Sequence, residues 1–171
     1  MVIRVAEIPE EGLEIEGTEA FEHPFQDPSW TLDEVSFVVD KAGDVVSVRG
    51  RLAARVPLHC GRCLEPYSVR VHSDVDARFV PSPAGRGEEQ QELGADDLET
   101  DVYDNGVLDL DALLETETSL GLPMKPLCRD DCRGLCPVCG NNRNVTACAC
   151  EERTPDPRWA ALAQWAARQS K

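Results

Sequence analysis

From residue 31 onward the chain alternates. Val35, Phe37 and Val39 fall on one parity against Glu34, Ser36 and the less polar Val38, and KAGD at 41–44 supplies a glycine-containing turn. Val46, Val48 and Leu52 then favour extended structure through VVSVRGRLAARVPL to Leu58, so two strands joined by a short turn fit best. The clearest strand signal is YSVRVHSDVDARFV at 67–80. There Tyr67, Val69, Val71, Val75, Ala77 and Phe79 share one parity, while Ser68, Arg70, His72, Asp74, Asp76 and Arg78 share the other. Ser73 interrupts the apolar set and reads as a bulge or an exposed stretch. Val2 to Val5 reads as an edge strand, and residues 12–22 alternate weakly around Leu13 and Ile15. The expectation is an antiparallel meander with one wet face.

Two segments change period. Asp109 reads as a helix N-cap, with Asp111 in the first turn complementing the dipole. Leu110, Leu113, Leu114 and Leu120 fall within an arc of about 120°, and Gly121 and Pro123 stop the helix. Glu117 lies inside that apolar arc. It reads either as a marginal glutamate with only its stem covered, or as a buried carboxylate that needs a cation, for which Arg62 is the candidate. A second helix is expected after TPDP, where Asp156 caps, Pro157 takes the first position, and Trp159, Leu162, Ala163 and Ala166 line one face. Between these regions, residues 81–100 hold proline, glycine and acids with few large apolar groups, the composition of a flexible loop. The expected fold class is α+β: a mainly antiparallel β-sheet with two amphipathic helices and a zinc-tied, cysteine-rich C-terminal segment. Residues 1–80 form the β-rich part, 81–107 the acidic loop, and 108–171 the helical and cysteine-rich part, in one domain overall.

Charge narrows the class. The 171 residues hold 17 Lys+Arg against 32 Asp+Glu, a formal charge of −15. Such a field repels a nucleic-acid duplex and excludes a DNA-wrapping protein. Residues 49–86 are locally basic, however, with 7 bases against 3 acids, and Arg49, Arg51, Arg55, Arg70 and Arg78 are candidates for RNA contact. No apolar run approaches the roughly 18 residues of a membrane span. The first residues lack an apolar core followed by a small-residue cleavage site, so a cytoplasmic protein without a secretory signal is expected.

Eight cysteines in that compartment point to metal before disulfides. They run Cys60-x2-Cys63, then Cys128, Cys132, Cys136-x2-Cys139, Cys148 and Cys150. A tetrahedral zinc ion takes four thiolates, and eight thiols match two such structural sites. One partition joins Cys60 and Cys63 to Cys128 and Cys132, and groups Cys136, Cys139, Cys148 and Cys150. Another groups Cys132 with Cys136, Cys139 and Cys150. An Fe–S cluster and a redox CxxC fit the spacings less well. The three histidines, His23, His59 and His72, accompany no evident nucleophile, and no phosphate-binding glycine motif is present, so no enzyme is expected.

Five fragments, in order, resemble one family: RGRLAARVPLHCGRCLEP at 49–66, the acidic loop, LDLDALLETETSLGLPMKPLC at 108–128, CRGLCPVCG at 132–140, and the closing DPRWAALAQW. They resemble the bacterial and plastid YceD family, also known as domain of unknown function 177 or large ribosomal RNA subunit accumulation protein. The resemblance implies a non-enzymatic ribosome biogenesis factor that supports 23S rRNA accumulation or processing and large-subunit assembly. The implied partner is 23S rRNA, its precursor, or a large-subunit ribosomal protein. The family's CxRC falls on Cys60, Arg62 and Cys63, its helix glutamate on Glu117, and its frequent histidine on Cys128. Two other readings stay open: an acidic chaperone or docking module for a basic ribosomal protein, and a zinc-thiolate redox sensor.

Overall fold

A computed structural model describes residues 1–82, 100–150, 157–159 and 165. Seven strands and one α-helix are found among them: β1 (Val2–Arg4), β2 (Leu13–Glu16), β3 (Thr31–Ala42), β4 (Val45–His59), β5 (Pro66–Pro81), β6 (Thr100–Tyr103), β7 (Val107–Asp109) and α1 (Leu110–Leu120). The chain divides into two compact units, one of residues 1–58 and 66–126, the other of residues 59–65 and 127–171.

The first unit holds a five-stranded sheet in the order β2-β3-β4-β5-β6, and β1 pairs separately with β7. The alternation of the sequence is reproduced as burial. Val35, Phe37 and Val39 of β3, Val46, Val48 and Leu52 of β4, and Val71, Val75 and Phe79 of β5 are all buried. Phe37 stands opposite Gly50 on β4, and any side chain at Gly50 would run into the Ser36 carbonyl and the Phe37 ring. That backbone approach lets Phe37 sink to 1% exposure. A bulge in β3 between Leu32 and Glu34 turns Leu32 toward the core and leaves Asp33 beside the arginines of the polar face.

The expectation of a mainly antiparallel sheet with two helices needs correcting on both counts. The sheet is mixed: β5 and β6 run parallel, with Arg78 opposite Thr100 and Pro81 opposite Tyr103. A parallel pair needs a connection of about a dozen residues or more, and 18 residues separate Pro81 from Thr100 in the sequence. Residues 83–99 of the acidic loop lie outside the described residues. Among the described residues α1 is the one α-helix with a bounded span, and Trp165 is the one further residue in α-helical conformation. Where the second was expected, Pro157–Trp159 forms a 3-10 turn with Trp159 exposed, and Asp156, Leu162, Ala163 and Ala166 lie outside the described residues.

Helix α1 starts as its residues dictate. The Asp109 carboxylate accepts from the amides of Asp111 (3.0 Å) and Ala112 (3.2 Å). Its buried face is Leu110, Leu113, Leu114 and Thr118, whereas Leu120, expected on that face, is exposed because the face is rotated toward Thr118. Glu117 is half-buried and accepts a 3.0 Å hydrogen bond from the Ser73 hydroxyl on β5. The polar break in the strand and the acidic break in the helix thus satisfy each other.

Candidate metal centres

The second unit is built from two copies of one backbone device. In the first, the Cys60 amide donates to the Glu65 carbonyl (3.0 Å) and the Leu64 amide returns to the Cys60 carbonyl (2.9 Å). In the second, the Cys136 amide donates to the Asn141 carbonyl (2.8 Å) and the Gly140 amide to the Cys136 carbonyl (2.9 Å). Each knuckle closes on a left-handed residue, Gly140 at φ 73° and Leu64 at φ 62°. Glycine adopts that conformation freely, whereas leucine does so at a cost of about 1–2 kcal/mol. The two knuckles are joined by the Leu135 amide donating to the Arg62 carbonyl at 3.0 Å.

Each knuckle brings two sulfurs, and two more meet them from elsewhere in the unit. Cys60, Cys63, Cys128 and Cys132 form one group, and Cys136, Cys139, Cys148 and Cys150 the other, with all sulfurs of a group within 4.8 Å of one another. The grouping of Cys132 with Cys136, Cys139 and Cys150 is not the one formed. Cys60 to Cys132 and Cys63 to Cys128 are each 3.7 Å between sulfurs. A zinc–sulfur bond of about 2.3 Å implies a tetrahedron edge of about 3.8 Å, so the thiols fit such an ion.

The electrostatics of the groups lead to the same chemistry. Backbone amides of Cys128 and Cys63 directed at the Cys60 sulfur lower its pKa to about 6. Those of Cys139 and Val138 do the same for Cys136, also to about 6. Burial pushes the Cys128 thiol up to about 12, aided by the neighbouring Cys60 and Cys63 sulfurs. The Cys139 sulfur, then burial, pushes Cys150 up to about 12. Each cage therefore stabilises its first thiolate with amides and resists its last for want of positive charge, the deficit a divalent cation fills.

Two asparagines that carried no signal in the spacing of the cysteines complete the first cage. Burial works against the Cys132 thiolate, and the Asn144 side-chain amide on its sulfur (3.3 Å), with the Gly134 amide, outweighs it. Asn142 accepts from the backbone and side-chain nitrogens of Asn144 at 3.0 and 2.8 Å and so orients it. The NNRN run directly after CPVCG was the available hint.

The other predicted residues have definite places. Arg62 and Glu117, expected as an ion pair, belong to different units and take different partners. Arg62 donates to the carbonyls of Cys132 (2.9 Å) and Asp130 (3.2 Å), whereas Glu117 holds the Ser73 hydroxyl. Four of the five arginines expected to touch RNA lie beside carboxylates on the polar face of the sheet: Arg49 near Asp40 (3.6 Å), Arg51 near Glu34 (3.9 Å), and Arg55 and Arg70 both on Asp33 (3.0 and 3.5 Å). Arg78 is exposed on β5.

Among the described residues, this small mixed-sheet protein carries two sets of four thiols spaced to hold a metal ion. The family described as large ribosomal RNA subunit accumulation protein YceD matches residues 48–165, and the chain belongs to that ribosome-biogenesis-associated family of non-catalytic factors. It is 33% identical over 135 residues to uncharacterised proteins of Mycobacterium tuberculosis strain H37Rv and Mycobacterium bovis, covering 78% of this chain and 61% of each relative. An uncharacterised protein of Mycobacterium leprae is 30% identical over 125 residues, covering 72% of this chain and 54% of the relative. The chain therefore spans a little over half the length of these relatives. No solved structure matches it. No described helix is long and apolar enough to cross a membrane.

Proposed function

We propose that this chain is a cytoplasmic ribosome biogenesis factor that supports 23S rRNA accumulation and large-subunit assembly by binding, with a structural zinc ion in each four-cysteine cage. The family match carries the ribosomal reading, and the tetrahedral spacing of the sulfurs supports the metal. Four thiolates per ion leave no open coordination position, so the metal's work is to hold residues 59–65 to 127–150 and not to activate water. The partner is 23S rRNA, its precursor, or a large-subunit ribosomal protein.

One observation favours the protein partner. Four of the five sheet arginines that would neutralise phosphates are already beside Asp33, Glu34 and Asp40, and the chain as a whole carries −15. An acidic protein of this kind attracts a basic ribosomal protein and shields it from nonspecific RNA before delivery.

Affinity purification of the tagged chain from its own cells at low salt, with and without RNase, tests the reading. Recovery of a large-subunit protein resistant to RNase supports the docking role, and recovery of 23S precursor that rebinds in purified form supports direct RNA contact. Recovery of neither overturns the ribosomal reading. Elemental analysis of the purified chain should return two zinc ions, and a metal-free, folded protein would overturn the metal assignment.

A further inference from the structure

A cavity of about 650 Å³ lies in the first unit, between β6, β7 and α1. Its floor is apolar, built from the core residues Phe79, Leu108 and Leu113. Its rim is acidic: among the described residues Asp101, Asp104, Asp109 and Glu117 are its charged lining residues, and no described Lys, Arg or His joins them. Two of these carboxylates are occupied, Asp109 by the helix amides and Glu117 by Ser73. Asp101 and Asp104 are exposed, and neither is in an ion pair among the described residues. Between them Val102 is 57% exposed. Strand β6, which carries Asp101 and Val102 and is followed directly by Asp104, ends the strand order, so one of its backbone edges has no strand partner among the described residues.

These features call for complementary chemistry in a single ligand. Carboxylates without an ion pair among the described residues call for lysine or arginine, an apolar floor with an exposed valine calls for an aliphatic side chain, and a strand at the end of the strand order calls for extended backbone. A phosphate backbone would be repelled by the rim, and an acidic peptide likewise. We propose that the cleft beside β6 is the docking site for an extended basic segment of a partner protein, in which cationic residues meet Asp101 and Asp104 and an alternate aliphatic residue enters the cleft. The proposal rests on the protein-docking reading above and gives it a location.

The test uses the full chain and a fluorescein-labelled nine-residue peptide of alternating arginine and valine, with a second peptide in which serine replaces valine. Anisotropy should show binding of the first peptide that weakens with salt, and weaker binding of the second. The double variant Asp101→Asn/Asp104→Asn should lower affinity about tenfold, and Val102→Ser should lower it several-fold. Glu10→Gln/Glu11→Gln, which removes the same charge from an exposed stretch remote in sequence, should change it less than twofold. All substituted side chains are exposed, and thermal melting confirms that each variant is folded. Equal losses in the rim and control variants, equal binding of both peptides, or no binding of the arginine–valine peptide would overturn the proposal. So would an rRNA fragment that binds and is lost in the rim variant. The two claims fail separately. Rim variants that still recover ribosomal protein from cells sink this site and spare the ribosomal reading, while peptide binding without ribosomal recovery does the reverse.

Discussion

Leu64 and Gly140 close equivalent turns with different side chains, and the difference is measurable. Leu64→Gly should relieve about 1 kcal/mol of backbone cost and raise the melting temperature of the zinc-loaded chain, whereas Gly140→Leu should lower it by a similar amount. Equal effects of the two substitutions would show that the left-handed turn is not what distinguishes them. Tyr103 supplies a second residue-scale prediction. Its hydroxyl donates to the Asp44 carbonyl at 2.8 Å, and burial, reinforced by the Asp44 charge, raises the phenol above its ordinary 10.0. A group with a raised folded pKa contributes stability that is complete below the unfolded value and is lost as pH rises through the folded one. Stability should therefore decline above about pH 10, and Tyr103→Phe should remove both that decline and the late phase of tyrosinate absorbance.

At the scale of elements, the Ser73–Glu117 contact joins β5 to α1 through two positions that each break an apolar pattern. Ser73→Ala should cost about 1–2 kcal/mol, because it leaves a half-buried carboxylate without its donor. The double change Ser73→Val/Glu117→Leu should recover most of that loss, so a double-mutant cycle in urea should show coupling near 1 kcal/mol or more. Strand parity was legible because one face of β3, β4 and β5 is buried and burial acts on every second residue. Ser73 and Glu117 were each visible as anomalies, but not as partners, since sequence places neither residue across from the other. Strand β6 was illegible as a parallel strand: Thr100–Tyr103 has one buried residue at its end and no alternation to read. Leu120 misled because an arc drawn on leucines alone ignores Thr118, which takes the buried position.

At the scale of the whole molecule, the cysteine spacing showed that metal cages were available, and the compact CPVCG fragment showed where one begins. It could not decide between partitions, because Cys132 is near enough in sequence to join either set, and only the fold places its sulfur 3.7 Å from Cys60. Removing the ions should act on one unit first. A chelator such as EDTA should release two zinc ions and abolish protection of residues 127–150 in hydrogen exchange, while the buried strands of β3 and β5 keep theirs. Simultaneous loss of protection in both units would show that they unfold as one. The second unit is also discontinuous, with its first two thiols at 60 and 63 and its next at 128. During synthesis at about 5–20 residues per second, the Cys60–Cys63 pair waits roughly 3–13 seconds before Cys128 is made. For that interval the nascent chain presents an unfinished two-thiol site, open to oxidants and foreign metals. Cells starved of zinc or exposed to peroxide should therefore damage newly made copies of this protein well before finished ones.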